Sequence, residues 1–300
     1  MKLAILSRGR NLYSTRRLVS TARQRGHEVR VIDPFRCVLT IGPTGRDVLY
    51  EGSSLDAIDC FIPRVGSSTA DPIAALLRHL DGCGPVSLNG PGAIQRSRDK
   101  FSSLQELAAA GLPVPATSIT RHEDELPAAI ASVGGAPVIL KLREGTQGVG
   151  VMKADSVVSA KSIVHALWSL EQSVLVQEFI AESSGTDVRA FIVDGKVIGA
   201  MSRRALDGDF RSNLHLGGRA ARVTLTREMR DISVAAARVF GLRVAGVDLL
   251  LASRGPLITE VNPSPGLEGI EGITGLDVAK SIVRTAEGLV LSNRRGELSS

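Results

Sequence analysis

Apolar positions follow two rhythms along this chain, and their alternation predicts its elements. The run KLAIL at 2–6 is short, continuous and bounded by polar residues, the signature of a buried strand. From 12 to 25 apolar residues recur at helical spacing and stop at Gly26, a residue suited to the left-handed turn that ends a helix. Residues 28–32, 59–62 and 85–88 read as further short strands. Asp71-Pro72 opens a helix with a capping side chain and a proline in its first turn. Strand and helix thus alternate over 1–95, which predicts a small α/β domain on a mostly parallel sheet. Gly90-Pro91-Gly92 reads as the linker that closes it.

A helix over 99–110, stopped by Gly111 and Pro113, leads into a segment of another kind. Between 114 and 180 the order is strand, helix, strand, glycine loop, strand, helix, strand. Beyond 187 the strands lengthen and pair. Residues 188–193 and 196–201 flank Asp194-Gly195, a strong hairpin signal, and 244–252 pairs with 257–261 around 253–256. A helix over 225–240 takes Thr226 as its N-cap. Residues 292–300 are polar and predict a fraying tail. The expected division is an N-terminal α/β domain over 1–95, a linking helix and small subdomain over 96–180, a larger subdomain over 181–290, and a tail over 291–300.

Composition narrows the class. Hydrophobic residues at 43% and charged residues at 22% are globular values that exclude a disordered or fibrous chain. The longest stretch without an acidic or basic residue, 126–140, is broken by Gly134, Gly135 and Pro137 and is too short to span a bilayer. The first residues lack the apolar core of a secretory signal, so the expected location is the cytoplasm. Thirty-six basic residues against 31 acidic ones give +5, a balance compatible with anionic ligands but not specific for them. Cys37, Cys60 and Cys83 show no CxxC spacing and read as reduced thiols, and the five scattered histidines form no zinc pattern.

Candidate chemistry starts at the loop 144–150, EGTQGVG, between two predicted strands. Its glycines permit close backbone approach to a ligand, and successive N–H groups can cradle phosphate oxygens. The glycine order is not that of a dinucleotide fold, and there is no GK[ST] ending. A plain glycine-rich hairpin is the competing reading. Lys141 lies just before the loop at the end of PVILKL, where a cation can meet phosphates or simply face solvent. Lys100 starts a helix, where a lysine opposes the helix dipole unless an anion is near. Glu260 and Asn262 are two apart in a strand and share a face; a hairpin register pairing Asp248 with Glu260 adds a third oxygen donor. Carboxylates inside apolar strands are costly unless paired, and a divalent metal or an ion pair satisfies them. Glu178 and Phe179 end the strand LVQEFI and could line a purine. The loop 207–213, DGDFRSN, presents Arg211, Ser212 and Asn213, with Arg203 and Arg204 just before it, an arginine cluster suited to anions or to solvent.

The order of these pieces resembles the ATP-grasp ligases, and the runs KLAILSR, RDK, VILKL-EGTQGVGV, DFRSNLH, AGVDLL and EVNPSPGLEGIE resemble the RimK-type subgroup, the ribosomal-protein glutamate ligases, over residues 1 to about 286. The resemblance implies an α/β plus α+β architecture: the ATP-grasp fold preceded by an N-terminal α/β (pre-ATP-grasp) domain. It implies ATP held by Lys100, Lys141, Gly145, Gln147 and Gly148, by Glu178 and Phe179 at the adenine, Asp187 at the ribose, and Arg211, Ser212 and Asn213. Asp248 and Glu260 would hold one magnesium and Glu260 with Asn262 the other, manganese being a possible substitute. Arg211 and Arg203 would hold the reacting carboxylate or the acylphosphate. The implied reaction joins L-glutamate to the free C-terminal carboxylate of a protein through an acylphosphate, the expected acceptor being the sixth small-subunit ribosomal protein. A homo-oligomer is expected, without nucleic acid or membrane. A glutamate ligase acting on a small coenzyme or carrier would share every nucleotide residue. A non-catalytic nucleotide sensor would not need the Asp248–Glu260–Asn262 set, and a nicotinamide dehydrogenase fails on glycine order.

Overall fold

The apolar run at the N-terminus becomes the centre of a parallel sheet. In the computed structural model, which describes residues 1–43, 45–55, 57–64, 71–80, 85–143, 150–206 and 217–297, the chain begins with β1 (Lys2–Leu6), α1 (Tyr13–Gln24) and β2 (Glu28–Ile32). A small antiparallel sheet follows: β3 (Cys37–Gly42), β4 (Gly45–Tyr50) and β5 (Ser53–Ser54). It is absent from the predicted elements because Val38 and Ile41 face solvent, so apolar character here does not track burial. Then β6 (Cys60–Pro63), α2 (Asp71–Leu80) and β7 (Val86–Ser87) complete a parallel sheet of order β2-β1-β6-β7.

The predicted linker is not one. Gly90 is the N-cap and Pro91 the first residue of α3 (Pro91–Arg98), since a fixed φ and a missing N–H suit a helix start as well as a linker. The helix expected over 99–110 is α4 (Lys100–Ala109), with Asp99 capping it through the amides of Phe101 and Ser102 at 3.0 Å; the unexpected helix is α3, which leads straight into it.

The small subdomain follows the predicted order: β8 (Thr117–Ile119), α5 (Leu126–Ser132), β9 (Val138–Leu142), β10 (Val151–Ala154), α6 (Val157–Trp168) and β11 (Val174–Glu178). Its sheet, β10-β9-β11-β8, is antiparallel and has its own core, including Leu126, Ile130, Leu140, Val164 and Val176. The larger sheet, β14-β13-β12-β15-β16, is built from β12 (Thr186–Val193), β13 (Lys196–Arg204), β14 (Arg219–Arg222), β15 (Val244–Ala252) and β16 (Gly255–Asn262). Helix α7 (Arg227–Phe240) packs on one face, with Thr226 accepting from the Met229 amide at 3.2 Å.

Helices α8 (Leu267–Thr274) and α9 (Val278–Glu297) return to the N-terminal sheet. Leu3, Ile5, Leu18 and Ile62 share one core with Leu267, Ile270, Ile282, Val283 and Ala286. The expected fraying tail is therefore helical up to Glu297: α9 buries Val290, and Arg294 pairs with Asp59 at 2.6 Å. Among the described residues no helix is long and apolar enough to cross a membrane.

Candidate functional site

The β15–β16 hairpin places three oxygen-bearing side chains together. Gly246 pairs with Asn262 and Asp248 with Glu260, after which a bulge at Thr259 shifts the register so that Leu249 meets Ile258. Asp248, Glu260 and Asn262 therefore share one face. Their surroundings differ. Glu260 is exposed and has no hydrogen-bond or ion-pair partner among the described residues. Asn262 is half-buried and its Oδ1 accepts from the Ser264 amide at 2.8 Å. Asp248 is buried and accepts from Arg189 Nε and Nη2 at 2.6 Å each and from Arg203 Nη2 at 2.8 Å. Burial alone would raise its pKa, but the two guanidiniums outweigh it and hold the carboxyl at about 2.

Exposed Glu260 beside the Asn262 amide is a donor pair suited to a hard divalent cation. Asp248 still has lone pairs beyond those its arginines use, so it can share its carboxylate with such an ion. No cluster of three or more His, Cys, Asp or Glu side chains arranged for a metal occurs among the described residues. The set fits an ion whose coordination is completed by phosphate or water oxygens rather than a closed protein cage.

Arg203 stands elsewhere than expected. It is buried between two carboxylates: Nε donates to Asp187 Oδ1 at 2.7 Å, and Nη2 donates to Asp187 Oδ2 and to Asp248. Burial would lower its pKa, and Asp248 and Asp187 raise it instead. Those donors are engaged internally, so Arg203 positions Asp248 and Asp187 rather than offering a free fork to a substrate anion. Asp187, expected at the ribose, is held in this ion pair. Arg189 was not foreseen, although it lies two residues beyond Asp187 on the same strand and directly opposite Asp248. Extending the period-2 argument from β16 to β12 would have found it.

The small subdomain contributes Lys141, which sits within β9 between Val151 and Leu175. Burial pushes its ammonium down to about 8; Glu260, Asp248 and Asp187 raise it and Lys100 lowers it, so both lysines act on one region with the acidic face. Lys100 is the first residue of α4, directly after its Asp99 cap. Asp99 Oδ2 also accepts from Arg143 Nε at 2.8 Å and Nη2 at 2.5 Å, tying the end of β9 to the start of α4. Glu178 ends β11; its Oε1 accepts from the Ala116 amide at 2.7 Å and from Arg254. The Lys153 ammonium lies 4.8 Å from the centre of the Phe179 ring. Gly145, Gln147, Gly148, Arg211, Ser212 and Asn213 lie outside the described residues. Gly150 has φ +78°, and a Cβ there would meet the Leu142 side chain at 2.5 Å, so this glycine is required by both backbone and space.

Residues 97–286 match the RimK-like ATP-grasp domain family and residues 1–94 the RimK pre-ATP-grasp domain family. A probable alpha-L-glutamate ligase from Hydrogenovibrio crunogenus is 49% identical over 287 residues, 96% of this chain and 95% of the relative. One from Vibrio cholerae is 47% identical over 294 residues, 98% of each chain. Among solved structures, a RimK domain protein ATP-grasp from Sphaerobacter thermophilus gives a TM-score of 0.74 at 23% identity, covering 95% of this chain and 99% of its own. The ATP-grasp ligase PsnB, complexed with a phosphomimetic variant of its minimal precursor, Mg and ADP, gives 0.72 at 22% identity, covering 96% and 97%.

Proposed function

The chain belongs to the RimK-like ATP-grasp family and has the ATP-grasp fold with its N-terminal pre-ATP-grasp domain, and on that footing we propose that it is an ATP-dependent α-L-glutamate ligase acting on the C-terminal carboxylate of a protein. The sixth small-subunit ribosomal protein is the acceptor this reading names. The observation that carries it is the single face bearing Asp248, Glu260 and Asn262, close enough to Lys141 of the small subdomain's sheet for Glu260 and Asp248 to act on its charge. Oxygen donors and a cation in one place suit a nucleotide triphosphate with its divalent ion.

In this reading the acceptor carboxylate oxygen attacks the γ-phosphorus of ATP, the bond to the β–γ bridging oxygen breaks, and ADP leaves an acylphosphate. The glutamate amine then attacks the acyl carbon, forming the amide and releasing inorganic phosphate and a proton. Divalent ions held by Glu260, Asn262 and Asp248 would offset phosphate charge. Lys141 would supply a cation from β9 of the small subdomain. Arg189 and Arg203 fix the Asp248 carboxylate so that its orientation does not depend on the ligand. The reaction requires no covalent enzyme nucleophile.

The test is incubation with ATP, magnesium, L-glutamate and the ribosomal acceptor, alongside peptides and small carboxylic acids with free or amidated ends. Mass gains of whole glutamyl residues on free-ended protein support the proposal. Gains on small carriers alone would reassign the acceptor, and ADP release without any glutamyl product would remove the ligase reading.

A further inference from the structure

Open parallel sheets bind ligands at the carboxyl ends of their strands, in the crevice where strand order reverses. In the order β2-β1-β6-β7 that reversal lies between β1 and β6. Arg64 is the residue immediately after β6, and its amide donates to the Leu6 carbonyl at 2.8 Å, which anchors it at the carboxyl ends of β1 and β6. Its Nη2 donates across to the Pro265 carbonyl at 2.6 Å and lies 3.4 Å from that of Ser264, in the loop that follows Asn262. Ser264 Oγ returns a hydrogen bond to the Pro63 carbonyl at 3.1 Å. Arg64 thus stands where the N-terminal sheet meets the metal-site strand.

Its guanidinium is incompletely satisfied. Among the described residues its buried Nε has no hydrogen-bond partner and no carboxylate pairs with the side chain. Burial pushes its pKa down to about 10, and among the described residues no acidic neighbour raises it. The chain pairs Arg17, Arg143, Arg189 and Arg203 with carboxylates. A desolvated cation without a counter-ion is costly, and carbonyl oxygens only partly compensate. The chemistry that completes a guanidinium of this kind is a planar carboxylate accepting two parallel hydrogen bonds.

We propose that Arg64 is a carboxylate-recognition residue, holding a free carboxylate of a substrate in the crevice between the β1–β6 strand ends and the 263–266 loop. This deepens the ligase reading and rests on it. Two substrates bring such a group, the incoming amino acid and the acceptor chain.

The test compares wild type with Arg64→Gln and Arg64→Lys in the presence of magnesium and ADP. Thermal shift is read with L-glutamate, and with a short acceptor peptide carrying a free or an amidated C-terminus. Wild type is expected to be stabilised by at least one free carboxylate, with the effect lost in Arg64→Gln and reduced in Arg64→Lys. In turnover, KM for that same substrate should rise tenfold or more while ADP affinity stays within twofold. A loss confined to glutamate assigns the amino acid, and one confined to the free-ended peptide assigns the acceptor. Should wild type ligate nothing, the ligase reading fails, while the thermal-shift arm still decides whether Arg64 binds carboxylates. Absence of any carboxylate-dependent shift in wild type overturns the proposal. So does an Arg64→Gln protein whose KM values are unchanged, with or without a lower melting temperature. If Arg64→Gln does not fold, Arg64→Lys carries both readouts, and unchanged KM values there overturn it equally.

Discussion

Residues of one site can share a face and still answer differently to substitution. Glu260 and Asn262 share a face by strand periodicity, and Asp248 joins them through the hairpin register that the sequence suggests; their arginine partners were not legible, because Arg189 and Arg203 reach Asp248 from strands outside that hairpin. Glu260 is exposed and unpaired among the described residues, so Glu260→Gln should leave the melting temperature equal or slightly higher. It should reduce glutamate-dependent ADP release more than Asn262→Ala does. Asp248→Asn should behave in the opposite way, destabilising the protein by about 3 kcal/mol or more, because Arg189 and Arg203 lose a buried counter-ion. Urea denaturation without magnesium separates the two, and equal losses would mean that Glu260 is structural too. Lys141 is the converse case, a half-buried cation depressed by burial and by Lys100. Lys141→Met should raise the melting temperature of the unliganded protein while weakening ATP by about 1.5–3 kcal/mol, roughly tenfold or more, as calorimetry would read.

At the scale of elements, the errors of sequence reading fall where one signal serves two structures. Glycine and proline mark a linker and also a helix start, and at Gly90-Pro91 the helix start prevails because the preceding residue is clamped. Asn89, at φ +91°, is buried; its Nδ2 donates to the Val244 and Pro263 carbonyls at 2.7 Å, and its Oδ1 accepts from the Arg243 and Val244 amides at 2.9 and 3.0 Å. One side chain therefore fixes the start of β15 and the loop after Asn262 to the N-terminal domain. No local pattern announces contacts more than 150 positions apart. Asn89→Ala should cost about 3 kcal/mol, since several buried groups lose partners together and alanine resists a left-handed φ. Asn89→Gly should lose the same hydrogen bonds without the backbone strain and be measurably less harmful in urea melts. Equal losses would show that the backbone conformation contributes nothing.

Across the whole molecule, the order of most strands and helices was readable, but the joining of its ends was not. Helix α9 closes on α1 and β1, and this seam also carries ions: Glu287 accepts from Arg25 Nε and Nη2 at 2.7 Å each and lies 2.7 Å from His27 Nε2. The hydrogen bonds from Arg25 are the main cause that holds Glu287 at about 2; burial works against them and His27 adds to them. A carboxyl whose folded pKa lies below its unfolded value of 4.5 binds fewer protons when folded. Its contribution is therefore complete above pH 4.5, declines as pH falls, and is gone below about pH 2. Glu287→Gln should lower the urea midpoint at neutral and weakly acidic pH, where the wild-type carboxylate is charged. The gap to wild type should narrow from about pH 4.5 downward and vanish near pH 2. Added salt should shrink it as well, because the pair is only partly shielded from solvent. In both proteins the N-terminal domain and the larger subdomain should unfold together, because the N-terminal sheet and α9 share a core. A gap that stays constant down to pH 2 would mean that Glu287 acts through packing rather than charge, and two separate transitions would mean that the seam does not couple the domains.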